Sequence, residues 1–204
     1  MAYTLEDIKH DLSELDERQF YLKYIVRSEN WYFENVLKLP SDKAMDDLKI
    51  IVGDMLGVSY NSVLMVGSGK TGYSFSPEKH LKPFTIDPAG EQKSDIDIAI
   101  ISSPIFEQLW KSFRQGYNIK NQAHYSYISR GIYRGYIDER NINQIKPCRL
   151  LWKDLRVAAT KKLQQNMYFQ HDINYRIYRS WEDFEEYTLG SISQLKYEVM
   201  KNGN

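Results

Sequence analysis

Two aspartates, Asp95 and Asp97, flank a single isoleucine in the string SDIDIAIIS. The strict alternation and β-branched content of that string predict a strand. In an extended chain the side chains at 95 and 97 share one face, while Ile96, Ile98 and Ile100 share the other. Two carboxylates about 6 to 7 Å apart at Cα repel one another and lose solvation, and a divalent cation relieves both costs. Hard oxygen ligands suit magnesium or manganese. Asp95 and Asp97 are therefore candidate metal ligands and catalytic groups. The plainer alternative is a solvated face of an antiparallel sheet, where acids are ordinary.

A second motif gives the pair a partner. NSVLMVGSG, ending at Gly69, is a short apolar run broken by glycines, the pattern of a buried strand entering a tight turn. Such a turn presents backbone N–H groups that can hold a triphosphate, with the Ser68 hydroxyl adding a hydrogen bond. Gly67 and Ser68 are thus candidate nucleotide-binding residues, with Lys70 and Thr71 as further phosphate-facing candidates. A turn that merely needs glycine for positive φ would explain Gly67 and Gly69 without a ligand. VGSGKTG also suggests the phosphate loop of ATPases, but that motif requires glycine where Leu64 stands. The residues that follow, YSFSPEKHLKPF, carry Pro77 and Pro83 and read as a loop or hairpin instead of the helix that motif needs.

The remaining elements must hold these two motifs together. From Thr4 to about Leu39, apolar residues at helical spacing predict two helices or one bent helix, stopped by Pro40. Ser41 reads as an N-cap to a helix that Gly57 ends. After the Asp95 strand, Ser103 and Pro104 open a helix whose Phe106, Leu109, Trp110 and Phe113 fall on one face expected to be buried. The tyrosine-rich stretch from Gln122 to Ile137 has no clear period. Trp152 to Leu163 reads as a helix and Asp172 to Ser180 as a strand. A last helix from Trp181 aligns Phe184, Thr188, Ile192, Leu195 and Val199. The expected class is α/β (α+β), a small mixed sheet flanked by helices from both ends, in one domain spanning 1–204. Residues 1–60 would form its helical part and 61–204 its core.

Composition narrows the functions. Hydrophobic residues make up 42% and charged residues 26%, ordinary globular usage, so disorder is not expected. Lysine plus arginine number 27, as do aspartate plus glutamate, so no net charge draws the chain to nucleic acid or membrane phosphates, and any basic site must be local. A lone cysteine, Cys148, excludes an intramolecular disulfide framework and a cysteine-rich zinc site. The acidic start, MAYTLEDIKHDLSELDE, is unlike a signal peptide, and no apolar run reaches the ~20 residues of a membrane span. A cytoplasmic location without membrane contact is the expectation. His80, His124 and His171 lack metal-ligand spacing. Arg130, Arg134, Arg176 and Arg179 lie among tyrosines and could meet a polyphosphate, although arginines on exposed strand faces are common.

A strand ending in Gly67-Ser68, followed downstream by Asp95-x-Asp97 on a second strand, resembles the core of the DNA polymerase β-like nucleotidyltransferase superfamily. GSGKTGYSFSP, SDIDIAII and RIYRSWEDFEEY further resemble a bacterial subgroup associated with anti-phage defence. The resemblance covers Ser62 to Ile101 well and the last thirty residues loosely. It implies a nucleotidyltransferase that moves a nucleoside monophosphate from an NTP or dNTP to an acceptor hydroxyl, with Gly67 and Ser68 on the phosphates and Asp95 and Asp97 on two Mg2+ or Mn2+ ions. It also implies products such as a nucleotide signal or short oligonucleotide, and an effector or toxin protein as partner. Two departures stand out. Asp95 lies 27 positions beyond Ser68, longer than the family's compact spacing, so an inserted segment is expected over the site. The third metal-binding carboxylate has no motif, with Asp172 the first candidate and Asp138 or Glu139 the second. The alternative is a catalytically inactive antitoxin or sensor that keeps the pocket. An RNA-binding module ranks last.

Overall fold

The computed structural model describes residues 3–86, 93–116 and 118–202. In chain order these form α1 (Leu5–Glu14), α2 (Glu17–Tyr21), α3 (Ser41–Leu56), β1 (Val63–Val66), α4 (Gly67–Thr71), β2 (Ile96–Ile101) and α5 (Ser103–Gln115). There follow α6 (Gln122–Tyr133), β3 (Tyr136–Asp138), α7 (Glu139–Ile142), α8 (Lys146–Met167), β4 (Ile173–Tyr178) and α9 (Trp181–Asn202). The strands make one mixed sheet in the order β1-β2-β4-β3, with β3 and β4 antiparallel and Ile137 opposite Ile177. The class is the mixed α+β one that the patterning implied.

The chain divides into two compact units, one of residues 1–45, 65–97 and 185–204, the other of 46–64 and 98–184. Of the first sixty residues, 1–45 belong to the first unit and 46–60 to the second. In the first unit, α1 and α2 each open with a capping box, Thr4 with Asp7 and Asp16 with Gln19, which satisfies otherwise orphaned amides. Two π-helical turns, Leu22–Val26 and Phe33–Leu37, continue the chain. Phe20, Tyr24 and Phe75 pack ring on ring, and the Tyr24 hydroxyl donates to the buried Asp11 carboxylate at 2.6 Å while Lys23 pairs with the same oxygen. Ser41 does not cap α3 as expected. It is the first helical residue, and its hydroxyl donates to Glu34 at 2.7 Å and accepts from the Asn30 amide at 2.8 Å.

The second unit is built around Trp152, Tyr175, Tyr178, Phe106 and Phe184, all essentially inaccessible. Burying each such side chain contributes roughly 1.5–3 kcal/mol. Ser102 caps α5, Pro104 sits in its first turn, and Phe106, Leu109 and Phe113 are buried as the spacing required. Trp110 departs from that expectation, being 39% exposed with the Arg114 guanidinium over its ring. The unassigned stretch from Gln122 becomes α6 and β3. α8 runs well beyond both ends of the predicted helix, with Pro147 at its start and Tyr168 in the left-handed region at its end. Along α9, Phe184, Ile192 and Leu195 are buried, while Thr188 and Val199 are half-buried.

Candidate active site

The site residues singled out from sequence, apart from the third carboxylate, belong to the first unit. β2 begins at Ile96, so Asp95 immediately precedes the strand and Asp97 is its second residue, both half-buried. Beyond them the face that carries Asp97 continues into Ala99 and Ile101, as buried as Ile98 and Ile100 opposite. A strand covered on both sides is the environment of a sheet interior and not of a solvated antiparallel face. The acids thus mark where one covered face turns polar.

β1 ends at Val66, and Gly67 turns the chain with φ +67°, a conformation that a side chain disfavours. The reason lies opposite. A Cβ placed on Gly67 would stand 2.7 Å from Asp97 Oδ2 and 3.4 Å from its Cβ and Cγ. The Asp97 carboxylate therefore packs directly on the turn. Gly69, the third residue of α4, faces Ile96 and Met65, where a Cβ would lie 3.2 Å from Ile96 Cδ1. The two sequence motifs meet through these glycines, which let the turn press against the start of β2. Val66, the residue before α4, provides no side-chain cap, and the first amides of a helix have no partners within it. Ser68 is half-buried at this end.

Lys70 and Thr71 are placed differently from the phosphate-facing expectation. Lys70 is 5% exposed and its ammonium donates to the Arg27 carbonyl. Thr71 is 4% exposed, and its hydroxyl donates to the Tyr73 carbonyl at 2.6 Å. Both line a small pocket with Tyr24, Glu29, Asn30 and Glu34. After α4 the chain runs through a short 3-10 turn and an antiparallel bridge between Tyr73 and Pro83, in keeping with the hairpin reading. The inserted segment expected over the site extends into residues 87–92, which lie outside the described residues.

The candidates for a third carboxylate belong to the second unit. Asp172 is exposed, one residue before β4. β4 itself contains no acid, and its alternating positions after Asp172 are Asn174 and Arg176. Asp138 is committed elsewhere, accepting from Arg140 at 3.1 Å and Arg176 at 2.9 Å. Burial opposes its ionisation, but those two guanidiniums hold its carboxyl below the usual range. Glu139 is 2% exposed and accepts from Trp152 Nε1 at 2.8 Å, with Arg156 Nε 3.9 Å away. Burial pushes its carboxyl up to about 7. Both were second candidates for the third ligand, but nothing in the sequence showed that they are buried, since an acid beside an acid at a strand end reads as surface.

Of the four arginines among tyrosines, Arg176 serves Asp138 and Arg179 serves Asp183, at 2.7 Å. Arg130 and Arg134 are exposed. Among the described residues no three His, Cys, Asp or Glu side chains converge to hold a metal ion, and no helix is long and apolar enough to cross a membrane. Comparison with protein-family models, curated proteins and solved structures finds no match.

Proposed function

We propose that the chain is a metal-dependent nucleotidyltransferase, transferring a nucleoside monophosphate from an NTP or dNTP to an acceptor hydroxyl. One observation supports this most: the Asp97 carboxylate lies against the glycine turn at the head of α4, 2.7 Å from where a Gly67 Cβ would be. An acid and the first amides of α4 side by side suit the two ends of a metal–phosphate unit, the cation on the acid and the phosphate on the amides. Asp95 and Asp97 supply hard oxygens that fit Mg2+ or Mn2+, since magnesium is commonly held by one or two carboxylates completed by waters and substrate phosphates. Such an ion, when bound, neutralises phosphate charge and lowers the pKa of a coordinated hydroxyl. The chain's own work is then positioning. Asp97 and Asp95 fix where the ion-bound triphosphate sits, and Gly67 and Ser68 hold its phosphates so that the α-phosphorus faces an in-line acceptor.

The test incubates purified protein with Mg2+ or Mn2+ and each labelled NTP and dNTP. Pyrophosphate release that disappears in Asp95→Asn and Asp97→Asn supports the reading. Release that survives both variants rejects it. A second reading, a catalytically inactive nucleotide-binding sensor or antitoxin, draws support from the acid-free β4 and the missing third ligand among the described residues. It predicts NTP binding without pyrophosphate release.

A further inference from the structure

The balanced net charge of the chain conceals a segregation. From Gln108 to Ile137 the sequence holds Lys111, Arg114, Lys120, Arg130 and Arg134 and no aspartate or glutamate. From Asn141 to His171 six further lysines and arginines meet one acid, Asp154. All of this lies in the second unit. The five cations of the first stretch are exposed, and none forms an ion pair among the described residues.

The fold packs α5 against α6. Phe113 near the end of α5 stacks on Tyr125 of α6 at 4.4 Å, and the Tyr125 hydroxyl donates to the Phe113 carbonyl at 3.1 Å. A Cβ on Gly116 would meet Pro147 and Ile145 at 3.0 and 3.1 Å, which brings the start of α8 to the same place. Along α6, His124, Tyr127 and Arg130 recur at steps of three residues and share one stripe of the helix, with Lys120 in the 3-10 turn just before it and Arg134 just after its end. Every member of that stripe is exposed, Tyr127 by 61%. On α5, Lys111 and the Trp110 ring stacked on Arg114, 4.7 Å from ring centre to guanidinium carbon, are exposed as well.

We propose that the exposed cations and rings of α5, α6 and the turns flanking α6 bind single-stranded nucleic acid. Unpaired cations in a row neutralise successive phosphates, and exposed aromatic rings between them offer stacking surfaces for unpaired bases. An anionic membrane fits less well, because a membrane-surface helix needs an apolar face beside its cations, whereas this stripe interleaves them with tyrosine and histidine. The inference rests on the second unit alone and is independent of the nucleotidyltransferase reading.

The test titrates a fluorescein-labelled, mixed-sequence single-stranded RNA of about 20 nucleotides by anisotropy, without metal or NTP, so transferase activity does not enter. Five phosphate contacts give a slope of about −3.5 in log affinity against log salt, so affinity should fall roughly 100-fold between 50 and 200 mM salt. Replacing Lys111, Arg114, Lys120, Arg130 and Arg134 together by Gln should flatten that slope and weaken binding at 50 mM by about the same factor. Trp110→Ala with Tyr127→Ala should weaken binding roughly tenfold while leaving the slope unchanged. Asp95→Asn with Asp97→Asn should bind like the wild type. All seven surface positions are exposed, and circular dichroism verifies the fold of each variant. Absence of RNA binding at 50 mM, or binding that survives the fivefold substitution, overturns the proposal. Wild-type affinity in the aromatic variant, equal affinity for duplex RNA, or tighter binding to anionic-lipid vesicles also overturns it.

Discussion

Replacing Gly67 by alanine tests the packing on which the proposed site depends. Two costs separate cleanly. Gly67 has φ +67°, and a side chain in the left-handed region costs about 1–2 kcal/mol. The new Cβ would also stand 2.7 Å from Asp97 Oδ2, well inside contact distance. The carboxylate must then leave its rotamer, at a further cost of about 0.5–1.5 kcal/mol. Gly57 is the matched control, because its φ is +64° and nothing lies within 4 Å of its added Cβ. Gly57→Ala should therefore lose only the backbone share, about 3–6 °C in Tm, and Gly67→Ala about 5–10 °C, at about 3 °C per kcal/mol for a chain of this size. Adding Asp97→Ala to Gly67→Ala should recover about 1 kcal/mol relative to additivity, read by urea unfolding as a double-mutant cycle. Gly67→Ala should also abolish metal-dependent pyrophosphate release, since the acid it displaces is a proposed ligand. Equal losses for Gly57→Ala and Gly67→Ala, with no coupling to Asp97, would refute the argument that the turn and the acid are in contact.

Glu139→Gln should stabilise the protein increasingly as pH rises. Burial holds the folded-state carboxyl at about 7 against an ordinary 4.5, so the folded state keeps the proton more tightly and wild-type stability declines between those values. The difference between variant and wild type should grow by on the order of 3 kcal/mol from pH 4.5 to 8 in urea unfolding, and a flat difference rejects it. Trp152→Phe should cost about 1–3 kcal/mol, because it strands the buried acceptor. Lys70→Met should lower Tm by several degrees through loss of the contact with the Arg27 carbonyl. Unchanged Tm with weaker NTP binding would instead return Lys70 to the phosphates. Gly135→Ala should cost more than about 2 kcal/mol by thermal unfolding. Its φ is +76°, and its Cβ would lie 2.2 Å from Asp183, the acid that Arg179 and Ser180 hold in place.

What the sequence determined by itself was local. Alternation around Ile96 and the glycine after Val66 specified two strand ends, and spacing placed Phe106, Leu109 and Phe113 on a buried face, because side-chain direction follows backbone period. Trp110 shares that spacing yet is exposed, since a stripe's width depends on what packs against it. The segregation of cations between Gln108 and Ile137 was legible too, though hidden when charge was summed over the whole chain. Tertiary structure alone decided which neighbour each residue met. It set Asp97 on Gly67, turned Lys70 and Thr71 inward, gave Asp138 to Arg176, and sealed Glu139 beneath Trp152. Those pairings join residues far apart in the chain, and long-range contacts and the desolvation they impose leave no periodic trace in a linear pattern.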